Sequence, residues 1–344
     1  MNALWVFIGA ILAFAVSGVL GKFLVPFLRK LKYGQTILDI GPKWHKGKQG
    51  TPTMGGLLFI IGSVVVTLLV ILLCTLINAN GTDINSQIVK VSLNAPKIIA
   101  GLLMAICYGV IGFIDDYIKV VKKRNLGLTS IQKLVLQFLV AGAFLYSMAM
   151  LGSTTATMIP FVGMVDIGFA YWIVSAIVIV GVVNAVNLSD GIDGLVGSMT
   201  FFASLAFMLI ATILGVLGAS IMAGALAGAC LGFLLWNFYP AKVFMGDTGS
   251  LYLGGYLCAL AFCIDMPILV VPISLVYIFE MFSVILQVGY FKLTKGKRLF
   301  KMSPIHHHFE MCGWSEVKIV SVFSIVTVLA GIATILCVVY GVIK

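Results

Sequence analysis

Long apolar runs, each near the length of a bilayer-crossing helix and separated by short polar joints, dominate this chain. They show no alternation of period two, and backbone groups in lipid must be satisfied within their own segment, so the pattern predicts helices and excludes a barrel. Ten spans are expected, at residues 3–28, 53–78, 95–114, 130–151, 169–187, 195–214, 217–236, 248–264, 267–291 and 316–343. The fold class is therefore all-α, a polytopic membrane protein forming a single integral membrane domain over residues 1–344. The first run is too long for a signal-peptide core and lacks a basic leader, so it is expected to remain as a span. In one joint, residues 157–168 place Pro160 and Gly163 between apolar pairs and predict a small hairpin.

The joints alternate in character. All but Lys90, Lys97 and Lys344 of the 22 basic residues fall on one side. By the positive-inside rule that side is cytoplasmic, and both termini point outward. The net charge of +10 follows largely from this topology and suits anionic membrane lipids. No basic soluble domain with interleaved aromatics is present to hold nucleic acid, which is not expected as a partner. The seven cysteines show no CxxC spacing, and six lie in apolar runs, so they read as buried thiols rather than disulfides or zinc ligands.

Only 10% of residues are charged, against 61% hydrophobic, yet Asp115, Asp116, Asp190, Asp193 and Asp247 all fall at span ends on the basic side. Carboxylates at a bilayer boundary are costly unless solvated, paired or metal-bound, and together they suggest an oxygen-rich cation site. Adjacent helical residues point about 100° apart, so Asp115 and Asp116 cannot form a symmetric chelate while helical. The alternative is an interfacial pair neutralised by Lys119, Lys122, Lys123 and Arg124. Asn187, Asp190 and Asp193 would share one face if helical, with Gly191 and Gly194 permitting close backbone approach. No closing glutamate supports an EF-hand.

Further along, Asp247, Thr248 and Ser250 open the eighth span, where free helix N–H groups favour phosphate; a capping role for Asp247 is the alternative. Phe244 beside them stacks on a base or simply packs. His306, His307 and His308 diverge in direction as consecutive residues, which fits phosphate contact or acid–base work better than zinc. The fourth histidine, His45, lies in a basic Gly-rich loop at residues 43–56 that suits a diphosphate but is not a P-loop. Glu280, the one carboxylate deep in an apolar run, is expected to make a hydrogen bond between helices, far from the aspartates.

Residues 49–56, the Asp115-Asp116 pair, and residues 187–195, 244–250 and 304–310 together resemble the phospho-N-acetylmuramoyl-pentapeptide transferases of the polyprenyl-phosphate N-acetylhexosamine-1-phosphate transferase superfamily. The resemblance runs in order along nearly the whole chain. It implies Mg²⁺-dependent transfer of phospho-MurNAc-pentapeptide from UDP-MurNAc-pentapeptide to undecaprenyl phosphate, giving lipid I and UMP, by a homodimer in the bacterial cytoplasmic membrane. By position it makes Asp247 the metal ligand, Asp115 the base, and Asp116 and His306 essential neighbours. Asn187, Asp190, Gly191, Asp193, Asn237 and Phe244 would hold the uridine and nearby groups. Lys48, Thr53, Lys119, Lys123, Ser250 and His307 would line the site.

Mg²⁺ and lysines would offset the repulsion between two phosphate anions. The carrier's tail requires an apolar groove, expected near the ninth span, where Pro267, Pro272 and Gly289 permit bending. One-step displacement is favoured over a two-step route through an aspartyl nucleophile. Two alternatives remain open, a related transferase using UDP-GlcNAc and a secondary transporter. Transport sites lie near the midplane, whereas the ionisable groups here collect at one surface.

Overall fold

The computed structural model describes residues 2–30, 48, 50–78, 89, 93–121 and 126–343. Lys123, His45, Gln49 and Lys90 lie outside the described residues, with most of the loops at 29–52 and 79–94. The elements are α1 (Asn2–Lys30), α2 (Leu57–Asn78), α3 (Ala95–Val121), α4 (Ser130–Met150), β1 (Ala156–Ile159), β2 (Gly163–Asp166), α5 (Ala170–Ser189), α6 (Leu195–Ile213), α7 (Leu217–Asn237), α8 (Gly246–Cys263), α9 (Val270–Ile273), α10 (Leu275–Leu293), α11 (Ile305–Met311) and α12 (Glu316–Val338).

Among the described residues, nine helices are long and apolar enough to cross a membrane: α1 to α7, α10 and α12. The helical class expected from the apolar runs holds, with the hairpin as its one exception: β1 and β2 pair antiparallel with Ala156 opposite Asp166 and Ile159 opposite Gly163.

Two boundaries differ from expectation in ways that matter for the site. Helix α3 continues from the expected end at 114 to Val121, so Asp115 and Asp116 sit inside a helix. The ninth span is broken. A 3₁₀ turn at Pro267–Leu269 leads into α9, which ends at Ser274 before α10 begins. Pro272 lacks the N–H that a continuous helix would need and blocks the preceding turn.

Helix α8 forms the centre of the bundle. Every residue from Thr248 to Cys263 is buried, and small residues set how closely its neighbours approach. Gly56 lies against Gly249, Gly254 against Val183 of α5, and Gly255 against Tyr108 of α3. The hydroxyls of its buried tyrosines are paired, as burial requires: Ser63 and Tyr252 hydroxyls lie 2.7 Å apart, and the Tyr256 hydroxyl donates to Met222 O at 3.0 Å. All seven cysteines are free, as expected, but Cys107 and Cys312 are exposed rather than buried. An apolar groove of about 360 Å³, lined by Ser198, Phe202, Phe238, Val320 and Ser324 among others, opens between α6 and α12. Its place differs from the ninth-span groove anticipated from sequence.

Helix α1 packs on α7 through a ladder of glycines four residues apart. A Cβ at Gly228 would run into Ala10 O, and one at Gly232 would lie 2.6 Å from Phe14 O. Such spacing lets backbones meet where lipid offers no hydrophobic drive for helix association. Gly228→Ala is expected to destabilise by about 1–3 kcal/mol through overpacking. Gly142→Ala, where a Cβ meets nothing within 4 Å, is expected to be neutral or stabilising by up to about 1 kcal/mol. Thermal unfolding of the two purified variants checks this, and equal midpoints would refute the close-packed seam.

Candidate active site

The first turn of α8 is held from outside itself. No side chain of its own caps it. Instead Asp116 Oδ2 accepts from Thr248 N at 2.9 Å and from Thr248 Oγ1 at 2.7 Å, while Oδ1 accepts from Asp247 N at 3.2 Å. A carboxylate on helix N–H groups satisfies donors that have no partner within the helix, and its charge complements the helix dipole. The expectation of a phosphate site on these amides is therefore corrected, because Asp116 already occupies two of them. The capping alternative for Asp247 is also overturned. Behind this turn, Phe244 N donates to Pro52 O at 2.8 Å, and Gly55 N and Gly56 N donate to Phe244 O and Met245 O at 2.8 and 3.1 Å. Thr53 is buried against Gly246, whose φ of +70° only glycine adopts freely.

With its backbone fixed, Asp247 carries its carboxylate to a cluster of cations and amides. Lys119 Nζ and Lys133 Nζ each lie 2.9 Å from Oδ2, and Asn187 Nδ2 donates to Oδ1 at 2.8 Å. Ser250, fully buried, accepts from Asn187 Nδ2 at 2.8 Å and so steadies Asn187 rather than facing a ligand. Asp115 Oδ2 pairs with Lys119 Nζ at 2.6 Å, and Oδ1 accepts from Leu128 N at 2.7 Å. Asp115 and Asp116 thus diverge, as adjacent helical residues must.

Lys133 was not singled out among the sequence candidates. Its signal was a capping box: Thr129 Oγ1 accepts from Gln132 N, and Gln132 Oε1 accepts in return from Thr129 N. That motif fixes where α4 starts and puts Lys133 in its first turns.

The turn at 190–194 separates residues that sequence spacing would have stacked. Helix α5 ends at Ser189 and α6 begins after Gly194, which has φ +78°. Asn187 alone remains helical. Asp193, 3% exposed, pairs with Lys48 Nζ at 2.8 Å and accepts from Ala241 N at 2.9 Å. Lys48 also pairs with Glu316 at 2.6 Å, and Glu316 Oε2 accepts from Asp193 N at 3.0 Å. Glu316 was missed because an acid in the first turn of a helix reads simply as a complement to the dipole. Asn237 ties the same region together, accepting from Gly194 N at 3.1 Å and donating to Val243 O at 2.9 Å. Phe244 is half-buried above its backbone ladder.

The histidines split three ways, as their consecutive placement requires. His306 Nδ1 lies 3.0 Å from Glu280 Oε2, with both side chains fully buried. His307 Nδ1 pairs with Glu310, and His308 Nδ1 accepts from Lys301 N at 3.1 Å. The hydrogen bond between helices expected of Glu280 is present, from α10 to His306 on α11. Gly191 lies against the same ring, where a Cβ would run into His306 Nε2. Its lack of a side chain makes room for an imidazole rather than for a ligand.

Asp115, Asp116 and Asp247 each offer a carboxylate oxygen, all within 4.8 Å of one another. Three hard oxygen donors fit Mg²⁺, which usually takes one or two carboxylates and completes its shell with water and phosphate. Asp190 stands beside this cluster, its carboxylate making no hydrogen bond or ion pair with the described residues. Burial, then the negative charges of Asp247, Asp116 and Asp193, push its pKa up to about 8 from an ordinary value of 3.8.

A carboxyl raised in the folded state favours folding fully below its unfolded pKa, and that contribution is lost as pH rises toward the folded value. In EDTA, the wild-type melting temperature should therefore fall between pH 5 and pH 8. Asp190→Asn should flatten that fall, by a difference of at most about 1.4 kcal/mol per pH unit. Parallel melting curves for the two proteins across this range would refute the raised pKa.

Residues 98–265 match the family model described as Glycosyl transferase family 4. Residues 48–60, running from the Lys48 ion pairs into α2, match Phospho-N-acetylmuramoyl-pentapeptide-transferase signature 1. Similarity also extends along whole chains. The phospho-N-acetylmuramoyl-pentapeptide-transferase of Clostridium perfringens (strain SM101 / Type A) is 44% identical over 319 residues, covering 92% of each chain. The protein of the same name from Halalkalibacterium halodurans is 45% identical over 314 residues, or 91% of each chain. That of Bacillus mycoides (strain KBAB4) is 47% identical over 312 residues, 90% of this chain and 91% of its own. Identity at this level across nine-tenths of the sequence, through every segment that builds the acidic cluster, means that the chain belongs to the phospho-N-acetylmuramoyl-pentapeptide transferase family.

Proposed function

We propose that this protein transfers phospho-MurNAc-pentapeptide from UDP-MurNAc-pentapeptide to undecaprenyl phosphate, releasing UMP and forming lipid I for peptidoglycan. The observation that carries this reading is the convergence of Asp115, Asp116 and Asp247 with Lys119, Lys133 and Asn187 at the end of α3 and the start of α8. Acids and bases so arranged hold a cation and phosphates at once. A transporter needs its polar site near the midplane of broken helices. The family membership favours the muramyl donor over UDP-GlcNAc.

In the reaction, an oxygen of the lipid phosphate attacks the sugar-linked phosphorus of the donor. The bond from that phosphorus to the bridging oxygen breaks, and its electron pair leaves with UMP. Lys119 and Lys133 now neutralise Asp247. When substrate phosphates compete for these ammonium groups, Asp115 Oδ2 is freed from Lys119 to accept the proton of the lipid phosphate. Asp116 does not contact the substrates in this scheme. It holds the backbone that aims Asp247. Asp247 would be the principal ligand of a bound Mg²⁺, with Asp115 at its side, and the ion would neutralise charge building on the phosphate oxygens. Asn187 orients Asp247, and Lys48, Asp193 and Asn237 shape the adjoining pocket for the nucleoside with Phe244, Asp190 and Gly191. Lys123, from its sequence position, and His307 complete the lining.

We place the site at the cytoplasmic face of the bacterial plasma membrane, supported by the asymmetry of basic residues. We read α8, about 27 Å long at the helical rise per residue, as a tenth crossing segment shielded from lipid by its neighbours. Both termini are then extracytoplasmic, the whole chain acts as one domain, and a homodimer is the working assembly.

Purified protein should release UMP from UDP-MurNAc-pentapeptide only when both undecaprenyl phosphate and Mg²⁺ are supplied. Robust release from UDP-GlcNAc with none from the muramyl donor would reverse the choice of substrate. Asp247→Asn should lower turnover by at least about a hundredfold while remaining folded. Mg²⁺ should raise the melting temperature of the wild type but not of this variant, because only a folded-state site links binding to stability. An equal Mg²⁺-induced rise in both proteins would move the ion away from Asp247.

A further inference from the structure

The buried pair of Glu280 and His306 is not used by the scheme above, and its geometry is specific. Both side chains are fully buried. Glu280 Oε2 meets the ring at Nδ1, at 3.0 Å, and also lies 3.5 Å from His306 N. The opposite ring nitrogen, Nε2, is buried without a partner, as is Glu280 Oε1. Nε2 faces the backbone at Gly191, between the unpartnered Asp190 and the α6 entry. A buried polar atom left unpaired costs on the order of 1–3 kcal/mol. Glu280 itself stands in a membrane-spanning helix, where an acid is retained at a cost. Stability alone accounts for neither, because an apolar pair of similar volume would pack there without desolvating charge.

We propose that Glu280 is a positioning residue for the transfer reaction, acting through His306. Its carboxylate accepts the Nδ1 proton and so fixes both the tautomer and the plane of the ring. Nε2 then keeps its lone pair directed at the Asp190–Gly191 turn. His307 also lies against the ring, with the two ring centroids 4.1 Å apart. His307 is turned to Glu310, so it does not compete for Glu280. Gly191 completes the arrangement, since any side chain there would push the imidazole off this line. The inference rests on the transferase reading and assigns within it a residue outside the aspartate cluster.

The test compares Glu280→Gln, which keeps an acceptor but removes the charge, with Glu280→Met, which fills the space without either. Positioning predicts that kcat falls on the order of ten- to a hundredfold in the Met variant and less in the Gln variant. KM for both substrates should stay within about twofold, since neither substrate touches Glu280. In protein labelled with ¹⁵N-histidine, the His306 signal, identified by its loss in His306→Gln, should report a protonated Nδ1 in the wild type. That signature should be lost in the Met variant. Wild-type kcat in a folded Met variant, or an unchanged His306 signal, would overturn the inference. So would failure of Glu280→Gln, Glu280→Met and Glu280→Asp all to fold, which would assign the pair to stability alone. Absence of UMP release from the wild type would instead refute the transferase reading, and the nitrogen signals would still decide whether Glu280 orders His306.

Discussion

The bond between Asp116 and the first turn of α8 governs the geometry of everything at this end of the bundle. Helix α8 starts at a glycine with positive φ and has no side-chain cap of its own. Without an outside acceptor its leading N–H groups would be buried and unpaired, which proteins rarely tolerate. Asp116 supplies that acceptor from α3, and the contact is close because Gly112, one turn earlier, brings α3 against the Asp247 backbone. One carboxylate is thereby spent on the backbone so that the next, on Asp247, can face cations. Adjacent acids on a helix divide their labour because their directions differ by about 100°.

The same division recurs around the site. Asp193 and Asn237 hold loops, while Asn187, itself steadied by Ser250, holds Asp247. Lys48 bridges Asp193 and Glu316, linking the entry of α2 to α12. Pairs this buried are costly to break, because removing one partner leaves a charge with nothing to balance it. Asp190 is the exception: burial first, then the neighbouring charges of Asp247, Asp116 and Asp193, raise its pKa. The site is thus poised for a cation, in the sense that added positive charge relieves a penalty already present.

Much of this was legible in the sequence, for physical reasons that can be named. Membrane helices announce themselves by length and apolarity, so most were placed to within a few residues, α3 and the broken ninth span excepted, and the hairpin was found from Pro160 and Gly163. The residues that gather in space were also visible, because carboxylates, lysines and glycines are conspicuous in an apolar chain. Partner choice was hidden. Nothing in the run from 112 to 117 says that Asp116 will turn to α8, since that depends on which helices meet. Lys133 and Glu316 carry no signal of their partners in the sequence, since these depend on α4 and α12 packing beside α8 and the 190–194 turn. Glu280 was conspicuous but its partner lies beyond the end of α10 and the loop at 294–304, on the short helix α11, a path that periodicity does not encode.

The position of α8 explains why it is the least apolar of the long helices while being the most enclosed. A helix that touches lipid must be apolar on its outer face, but one that touches only protein can carry Gly, Ser, Thr and Tyr wherever neighbours supply partners. Those residues are what the site requires. Glycines allow α2, α3 and α5 to close in, and tyrosines pair with hydroxyls and a carbonyl on α2 and α7. The charged first turn is then carried on a rigid rod surrounded on every side. An active site for two anionic substrates at a membrane boundary needs such a support, because its like charges repel and would otherwise drive the elements apart. Rigidity at the centre of the bundle keeps three carboxylates within 4.8 Å of one another.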